Sequence, residues 1–275
     1  TSKWDPTLMN NKMIHIHSDR AAFSRSPMAR LHVQGSIKTV FAKLNERLED
    51  SNRKFPQSGN FDPEAAARTA YVPVGIEVQR PHCCRPAVNG ELLKAPQVYY
   101  ELIRRLPRET RFFIDNSNSV PWSIHYFFHS RPESYHLSIE FATMAWAVGA
   151  AIGGAFANQS APSVCIAGDG CYLMSAQEIT VAVEQQLPVL FVVLDDQAYG
   201  LIRHGHRFSG KETVEYRIPP VDFAMMARAT GAKSHTIRGA KDFEMINWQE
   251  LALHQGPTLL HVLIDPEEPP PLAMA

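Results

Sequence analysis

Acidic residues occur at two places in this sequence where an apolar segment ends. Residues 164–167 are apolar and run directly into the Gly-Asp-Gly sequence centred on Asp169, and the apolar residues 189–194 are followed by Asp195 and Asp196. Carboxylate oxygens are hard ligands that suit Mg²⁺, which keeps coordination positions open for the phosphates of a substrate. Glycine allows a sharp turn and a close approach of the backbone to a ligand. The pattern predicts a site for a metal and a diphosphate, provided that the two places lie together.

The elements around these residues are predicted to bring them to one edge of a sheet. A helix is expected over 176–186, between the two apolar segments, and Ser175 with Glu178 matches the capping box that marks a helix start. A strand–helix–strand unit has a right-handed crossover, so the two strands are expected to be parallel and adjacent. Ligands of open α/β sheets bind at the carboxyl ends of the strands. Asp169 and Asp196 are therefore expected to share one site.

The same alternation of strands and helices extends over most of the chain. Helices are predicted over 96–106, 142–157 and 222–230, and further strands over 111–114 and 258–264. Apolar strands without polar alternation, separated by helices, are typical of a parallel sheet that is covered on both faces. The predicted fold class is α/β, a doubly wound and mostly parallel sheet with helices on both faces.

Composition divides the chain into three parts. Residues 1–50 contain two short apolar segments and an amphipathic helix over 37–48, which is too little to close a core, so they are expected to be the end of another domain. Residues 51–87 are rich in Pro, Ser, Asn and Gly and are expected to be a linker with one helical turn at 64–68. Residues 88–275 form the predicted main domain. The missing initiator Met at Thr1 indicates a chain that was processed or cut from something longer.

Charge and cysteine usage restrict the class of function. The formal net charge of −1 lacks the basic excess of a nucleic-acid-binding protein. The four arginines between 104 and 111 are interpreted as a solvated helix end. The four cysteines have no CxxC spacing, which excludes a disulfide framework or a zinc site and indicates reduced thiols in a cytoplasmic protein. No apolar stretch reaches 18 residues, so no membrane span is expected.

Beyond these patterns, the sequence resembles the thiamine diphosphate-dependent enzymes of the acetolactate synthase, pyruvate decarboxylase and benzoylformate decarboxylase family. The family motif is Gly-Asp-Gly followed, after a crossover, by Asn-Asn; residues 195–200 resemble the acetolactate synthase form Asn-Asn-Gln-x-x-Gly. Arg207-Phe208 fits the Arg-Phe that follows there, and residues 143–153 match a family helix. The resemblance implies that the main domain is the diphosphate-binding domain and that residues 1–50 belong to the central domain.

The resemblance also implies the roles of individual residues. The implied Mg²⁺ ligands are the side chains of Asp169 and Asp196 and the carbonyl of Ala198. Met144 would hold thiamine diphosphate in its bent shape, with the aminopyrimidine nitrogen against the thiazolium carbon. The implied cofactor-binding residues are Ser117, Asn118, Ser119, Ala142, Met144, Gly168, Gly170, Cys171, Tyr199 and Gly200.

The catalytic partner implied by the resemblance lies elsewhere. In this family a Glu on a separate pyrimidine-binding domain activates the cofactor, and that domain would lie before Thr1 or on a partner chain. The active site forms between subunits, which implies a homodimer or homotetramer. The catalytic residue is therefore not assigned within this chain.

The implied activity is decarboxylation of a 2-oxo acid with carboligation, as in acetolactate synthases, and hence a lyase or transferase. Gly205 replaces the Trp that shapes the acetolactate synthase substrate pocket, so simple decarboxylation stays an alternative. Ser117, Ala142 and Ala145 replace family glycines, and Asp196 adds a charge beside the diphosphate that costs about 4 kcal/mol at roughly 4 Å. Accumulated changes at Ser117, Ala142, Asp195 and Asp196 make a non-catalytic binding or regulatory relative a further alternative.

Two further sequence features bear on the function. His204 and His206 follow the acidic loop and could face a substrate carboxylate or act as acid or base, or they could lie on a polar loop surface. A nicotinamide dinucleotide site is disfavoured because no GxGxxG sequence joins a first strand to its helix.

Overall fold

A computed structural model describes residues 12–50, 92–126, 133–211, 216–253 and 256–270. Contacts divide these residues into two compact units, one within 12–50 and the other within 92–270. The domain boundaries drawn from the sequence stay a prediction. The predicted linker and its helical turn at 64–68 lie outside the described residues.

The smaller unit has two parallel strands and one helix, as the sequence predicts. Strand β1 (Ile14–His17) pairs with β2 (Leu31–Gln34), and helix α1 (Ile37–Asp50) follows. The strands are joined by a 3₁₀ turn at Arg20–Arg25. Among the described side chains of this unit, only Ala22 and Ser26 are buried. So few buried groups do not make a core that closes by itself.

The larger unit contains one parallel sheet. Its strands are β3 (Arg111–Ile114), β4 (Tyr135–Leu137), β5 (Ser163–Gly168), β6 (Val189–Asp195), β7 (Lys233–Ile237) and β8 (Thr258–Leu263). Their order is β4-β3-β5-β6-β8-β7, and every pair is parallel. β5 and β6 pair over six residues, from Ser163↔Val189 to Gly168↔Leu194. The prediction that these two strands are neighbours is confirmed.

Helices cover both faces of this sheet. They are α2 (Ala95–Arg105), α3 (Ser119–Tyr126), α4 (Trp146–Ala157), α5 (Asp169–Leu173), α6 (Ile179–Glu184), α7 (Gly200–Phe208), α8 (Phe223–Ala229) and α9 (Trp248–Leu253). Successive side chains of β3 lie on opposite faces of the sheet: Phe112 and Ile114 pack with α2, and Phe113 packs with α4. The predicted doubly wound α/β fold is confirmed. None of the described helices is long and apolar enough to cross a membrane.

Two details of the predicted elements are wrong. The helix expected over 176–186 is a 3₁₀ turn, Ala176–Glu178, followed by α6, and the Ser175 side chain makes no capping hydrogen bond. The backbone of Ser175, with φ −144° and ψ 28°, lies outside the extended conformation that an N-cap residue typically adopts. The helix expected from 142 begins at Trp146, because Ala142 and Ala145 have positive φ values of 56° and 69°.

The two alanines before α4 lead to a prediction about stability. An L-residue in the left-handed region is strained because its Cβ crowds the backbone, whereas glycine has no such contact. Ala142→Gly and Ala145→Gly are each expected to raise the free energy of unfolding by about 1 kcal/mol. Ala150→Gly, inside α4, is the matched control and is expected to lower it by about 1 kcal/mol. Urea denaturation measures all three, and a loss of stability at all three positions would contradict the strain.

Candidate functional site

The segments that follow β3, β5 and β6 converge on one pocket at the carboxyl edge of the sheet. The pocket has about 510 Å³ of empty space, part of it open to solvent, and Trp122, Leu194 and Ile264 form part of its apolar wall. Of the thirteen residues that the resemblance assigns to the cofactor or the metal, twelve line it: Ser117, Asn118, Ser119, Met144, Gly168, Asp169, Gly170, Cys171, Asp196, Ala198, Tyr199 and Gly200.

Ala142 is the residue that the structure does not bring into this pocket. It is exposed and lies in the turn before α4, three residues ahead of Ala145. The turn is held by Asn116, whose amide donates to the carbonyls of Ser138 at 3.0 Å and Thr143 at 2.8 Å. A contact between Ala142 and a cofactor therefore stays a prediction from the resemblance.

Two carboxylates in the pocket have pKa values raised above the ordinary range. Asp169 is 2% exposed; its Oδ1 accepts the Gly170 N–H at 2.7 Å, whereas Oδ2 is buried with no hydrogen-bond partner among the described residues. Burial, and next the charge of Asp196, raises the pKa of Asp169 to about 8. Burial raises the pKa of Asp196 to about 6, opposed by the charge of Arg203. A divalent cation would remove both penalties, so the pair suits a metal.

The number of side-chain ligands that this pocket offers is small. No group of three or more His, Cys, Asp or Glu residues in the described part of the chain is placed to hold a metal ion. A cation here would rest on two carboxylates together with oxygens from the backbone or from a bound ligand. That is the coordination typical of Mg²⁺ with a phosphate ligand.

The glycines around Asp169 provide space, and the sharp turn expected from the sequence is absent. Neither Gly168 nor Gly170 has a positive φ, and α5 begins directly at Asp169. A Cβ on Gly170 would lie 2.8 Å from the Tyr199 ring, and one on Gly168 would lie 3.2 Å from Ser117. The missing side chains therefore let the loops after β3 and β6 approach the start of α5.

Asp115 fixes the loop after β3 by accepting hydrogen bonds from backbone N–H groups. This buried carboxylate accepts the N–H groups of Asn116 and Ala145 at 2.9 Å and that of Ala147 at 2.8 Å. Burial raises its pKa. Asp115 thus fixes the loop against the start of α4, where Met144 lies, and does not itself line the pocket. The sequence places Asp115 at a strand end but does not show this structural role.

Asn118 presents an unsatisfied amide to the pocket. Its Nδ2 and Oδ1 are both buried and have no hydrogen-bond partner among the described residues. A Cβ on Gly200 would lie 2.4 Å from Asn118 Nδ2 and 2.3 Å from Asp196 Oδ2, so these two polar groups meet above Gly200. Buried polar groups are normally hydrogen-bonded, and an orphaned amide in a pocket therefore indicates a polar ligand.

His204 and His206 lie on α7, so the loop expected for them is a helix. His204 is 2% exposed, and burial followed by the charge of Arg203 lowers its pKa. His206 packs edge-on against Tyr216 with ring centroids 5.7 Å apart. Neither residue lines the pocket. Arg207 pairs with Glu267 at 2.6 Å and lies outside this pocket as well.

The pocket can be compared with known proteins. The family model described as "Thiamine pyrophosphate enzyme, C-terminal TPP binding domain" matches residues 115–262. The chain is 26% identical over 267 residues to the acetolactate synthase isozyme 2 large subunit of Escherichia coli K12, covering 96% of this chain and 45% of the relative. It is 24% identical over 274 residues to the acetolactate synthase large subunit of Pyropia yezoensis, covering 98% and 44%.

A solved structure shows the same fold. The thiamine diphosphate-dependent 4-hydroxybenzoylformate decarboxylase of Rhodococcus jostii RHA1 aligns with a TM-score of 0.70 at 18% identity, covering 92% of this chain and 44% of the other. At this identity the likeness concerns the fold alone. The chain spans less than half the length of each of these three proteins.

Proposed function

This chain belongs to the thiamine pyrophosphate enzyme family, and on that premise we propose that its pocket binds thiamine diphosphate together with Mg²⁺. The observation that supports the proposal is the convergence of unsatisfied polar groups at one sheet edge. Asp169 Oδ2 and both amide atoms of Asn118 are buried without partners among the described residues, beside Asp196. A cation would compensate Asp169 Oδ2, and a phosphate oxygen in the same place would accept a hydrogen bond from Asn118 Nδ2.

The residues divide by the chemistry that each can offer. Asp169, Asp196 and the carbonyl of Ala198 would hold the Mg²⁺. When bound, the cofactor supplies the carbanion chemistry, and the protein supplies binding, orientation and electrostatics. Met144 would support its bent shape. The residues left to contact the cofactor are Ser117, Asn118, Ser119, Ala142, Gly168, Gly170, Cys171, Tyr199 and Gly200.

The proposed activity is that of an enzyme on 2-oxo acids, with acetolactate synthase-like decarboxylation and carboligation. The names of the two curated relatives support carboligation. Gly205 supports simple decarboxylation as an alternative, because it stands in place of the Trp that shapes the acetolactate synthase pocket. Outside its own helix backbone and its chain neighbours, no atom of the described residues would lie within 4 Å of a Cβ there.

The activating Glu would come from a pyrimidine-binding domain of the same or a partner chain, within a homodimer or homotetramer in the cytoplasm. Exposed apolar side chains at the pocket support such a covering partner: Tyr199 is 45%, Leu201 37% and Ile202 47% exposed. Exposed apolar patches are typical of interaction surfaces.

A non-catalytic binding relative is the second candidate. It is favoured by the strained Ala142 and Ala145 and by the second acidic residue, Asp196, in the loop after β6. Such a relative would have lost affinity for the diphosphate and the metal while keeping the fold.

Calorimetric titration of the 275-residue chain tests the proposal. Thiamine diphosphate is expected to bind with micromolar affinity in the presence of MgCl₂ and to lose this affinity with EDTA. Thiamine, which lacks the diphosphate, is the control ligand and is expected not to bind. Absence of heat with millimolar thiamine diphosphate and MgCl₂ would refute the proposal in favour of the non-catalytic relative.

Gly200 gives a sharper test within the same helix. Gly200→Ala is expected to weaken Mg²⁺-dependent cofactor binding about tenfold, because its Cβ would displace Asp196 and Asn118. Gly205→Ala is the matched control, because a Cβ there has no atom within 4 Å. That change is expected to keep the affinity and to raise the free energy of unfolding by about 1 kcal/mol. Equal affinities of the two variants would contradict the packing above Gly200.

A further inference from the structure

A buried histidine lies next to the acidic loop, on the strand beside it. His261 is in β8, where it pairs in register with Val193 of β6, and it is 5% exposed. Its Nε2 is 2.7 Å from Oδ2 of Asp195, which is itself buried. The ring packs edge-on against Phe223, with centroids 5.2 Å apart. An imidazole N–H is therefore aimed at a carboxylate that cannot reach water.

The other oxygen of Asp195 shapes the loop. Oδ1 accepts the N–H of Gln197 at 3.1 Å, which closes a turn in which Gln197 has a φ of 53°. The Gln197 carbonyl in turn accepts the Ile218 N–H at 2.9 Å. After this reversal Asp196 and Ala198 line the pocket, whereas Asp195 does not. The Asp195 carboxylate thus anchors the turn from which the loop presents Asp196 and Ala198, and it lies close enough to Asp169 to contribute to that residue's raised pKa.

Among the described residues, the side chain of His261 makes no hydrogen bond other than the one with Asp195. Its Nδ1 is buried without a hydrogen-bond partner among the described residues. The nearest acidic oxygen, Oδ1 of Asp222, is 4.0 Å away and already accepts the N–H of Met225 at 2.8 Å. The contact with Asp195 is thus the hydrogen bond by which the imidazole is oriented.

We propose that His261 is a positioning residue for the metal loop, a role that rests on the proposed function. By donating to Asp195, it compensates a buried carboxylate that also anchors the turn at Gln197. The loop then offers the cation one carboxylate, Asp196, together with the Ala198 carbonyl. Two adjacent acidic residues can in this way stand near a diphosphate, because a hydrogen-bond donor compensates the charge of one of them.

The physical reason is that a buried carboxylate needs a donor. Without His261, the Asp195 side chain either stays buried and unpaired or rotates toward the pocket. In the first case an uncompensated charge stays buried beside Asp169. In the second, the turn at Gln197 loses its anchor and the charge moves toward the diphosphate. Both outcomes weaken the binding of metal and cofactor together.

The test compares variants of the full chain by titration with thiamine diphosphate at saturating MgCl₂. His261→Leu is expected to bind at least about tenfold more weakly, as for other outer partners of metal sites. His261→Gln keeps a side-chain N–H donor and is expected to bind like the unaltered chain. The double variant Asp195→Asn with His261→Leu is also expected to recover, because a neutral amide leaves no buried charge to compensate. If His261 acted only by packing its ring against Phe223, neither His261→Gln nor the change at Asp195 would rescue binding.

His235→Leu is the matched control. His235 lies on the neighbouring strand β7 and lines a separate groove with Lys233 and Asn247, so its loss is expected to leave the affinity unchanged. Undiminished binding by His261→Leu would overturn the inference. So would a double variant that stays weak, or that fails to fold when His261→Leu also fails to fold. If the unaltered chain binds no cofactor, the proposed function fails first and the inference fails with it.

Discussion

Asp169→Asn is expected to weaken Mg²⁺-dependent binding of thiamine diphosphate by at least about 100-fold. The carboxylate is buried, one of its oxygens has no partner among the described residues, and it lies in the pocket with Asp196. An amide offers the cation no charge and can present its NH₂ group in place of an oxygen. Titration calorimetry with and without MgCl₂ measures the loss.

The same variant is expected to be more stable than the unaltered chain when no metal is present. Burial and the charge of Asp196 disfavour the ionised form of Asp169, and asparagine has no ionised form. Asp169→Asn in EDTA at pH 8 should therefore unfold at a higher urea concentration. Glu184→Gln, on the exposed side of α6, is the control for a lost negative charge and should change neither property. A variant that loses both binding and stability would indicate simple damage to the fold and would contradict the assignment.

The Asp169–Asp196 pair is expected to contribute a loss of stability to the metal-free chain as the pH rises from about 4 to about 8. The pKa of Asp169 is raised from 3.8 to about 8, and that of Asp196 to about 6. Between the unfolded and folded pKa values the folded chain keeps protons that the unfolded chain has lost. The free energy of unfolding therefore falls with pH, by a few kcal/mol in all. This is the opposite of the usual behaviour of salt-bridged carboxylates.

Urea denaturation in EDTA at a series of pH values measures this dependence. The Asp196 contribution should be complete near pH 6, and Asp169→Asn should flatten the curve between pH 6 and 8. Cofactor affinity in MgCl₂ should rise over the same interval, because metal binding needs the deprotonated carboxylates. A pH dependence between pH 6 and 8 in EDTA that is the same in Asp169→Asn as in the unaltered chain would contradict the buried acidic pair.

Much of the sheet could be predicted because its central strands are buried on both faces. β5 and β6 are almost wholly apolar, so the sequence shows their bounds and the acidic residues at their ends. The edge strand β7, Lys-Ser-His-Thr-Ile, is partly exposed and has no such signature. Helix α7 contains Gly200 and Gly205, which disfavour helix, and it forms because its ends and its buried His204 are held by the tertiary structure.

The sequence could predict which residues line the pocket but not how distant segments contact one another around it. Motif spacing places Asp169 and Asp196 at adjacent strand ends, and the resemblance supplies the surrounding residues. Contacts between distant segments are not visible in this way. Asp195 and His261 are 66 positions apart, and a histidine inside an apolar strand has no local mark of its partner. The Ser175 capping box is the opposite case: the motif is present in the sequence, but the Ser175 side chain makes no capping hydrogen bond.

The pairing of β5 with β6 also determines where the site can move. Six residue pairs in register carry Asp169 and Asp196 at their far end, in the middle of the sheet. Central strands of a domain open least often, and amide hydrogen exchange there is correspondingly slow. The turn from Ala142 to Ala145, at the surface, is held chiefly by side chains of the loop after β3. The pocket thus combines strands that open slowly with a turn that opens quickly. A ligand that rigidifies the pocket should therefore slow amide hydrogen exchange in that turn and change it little in the strands beneath.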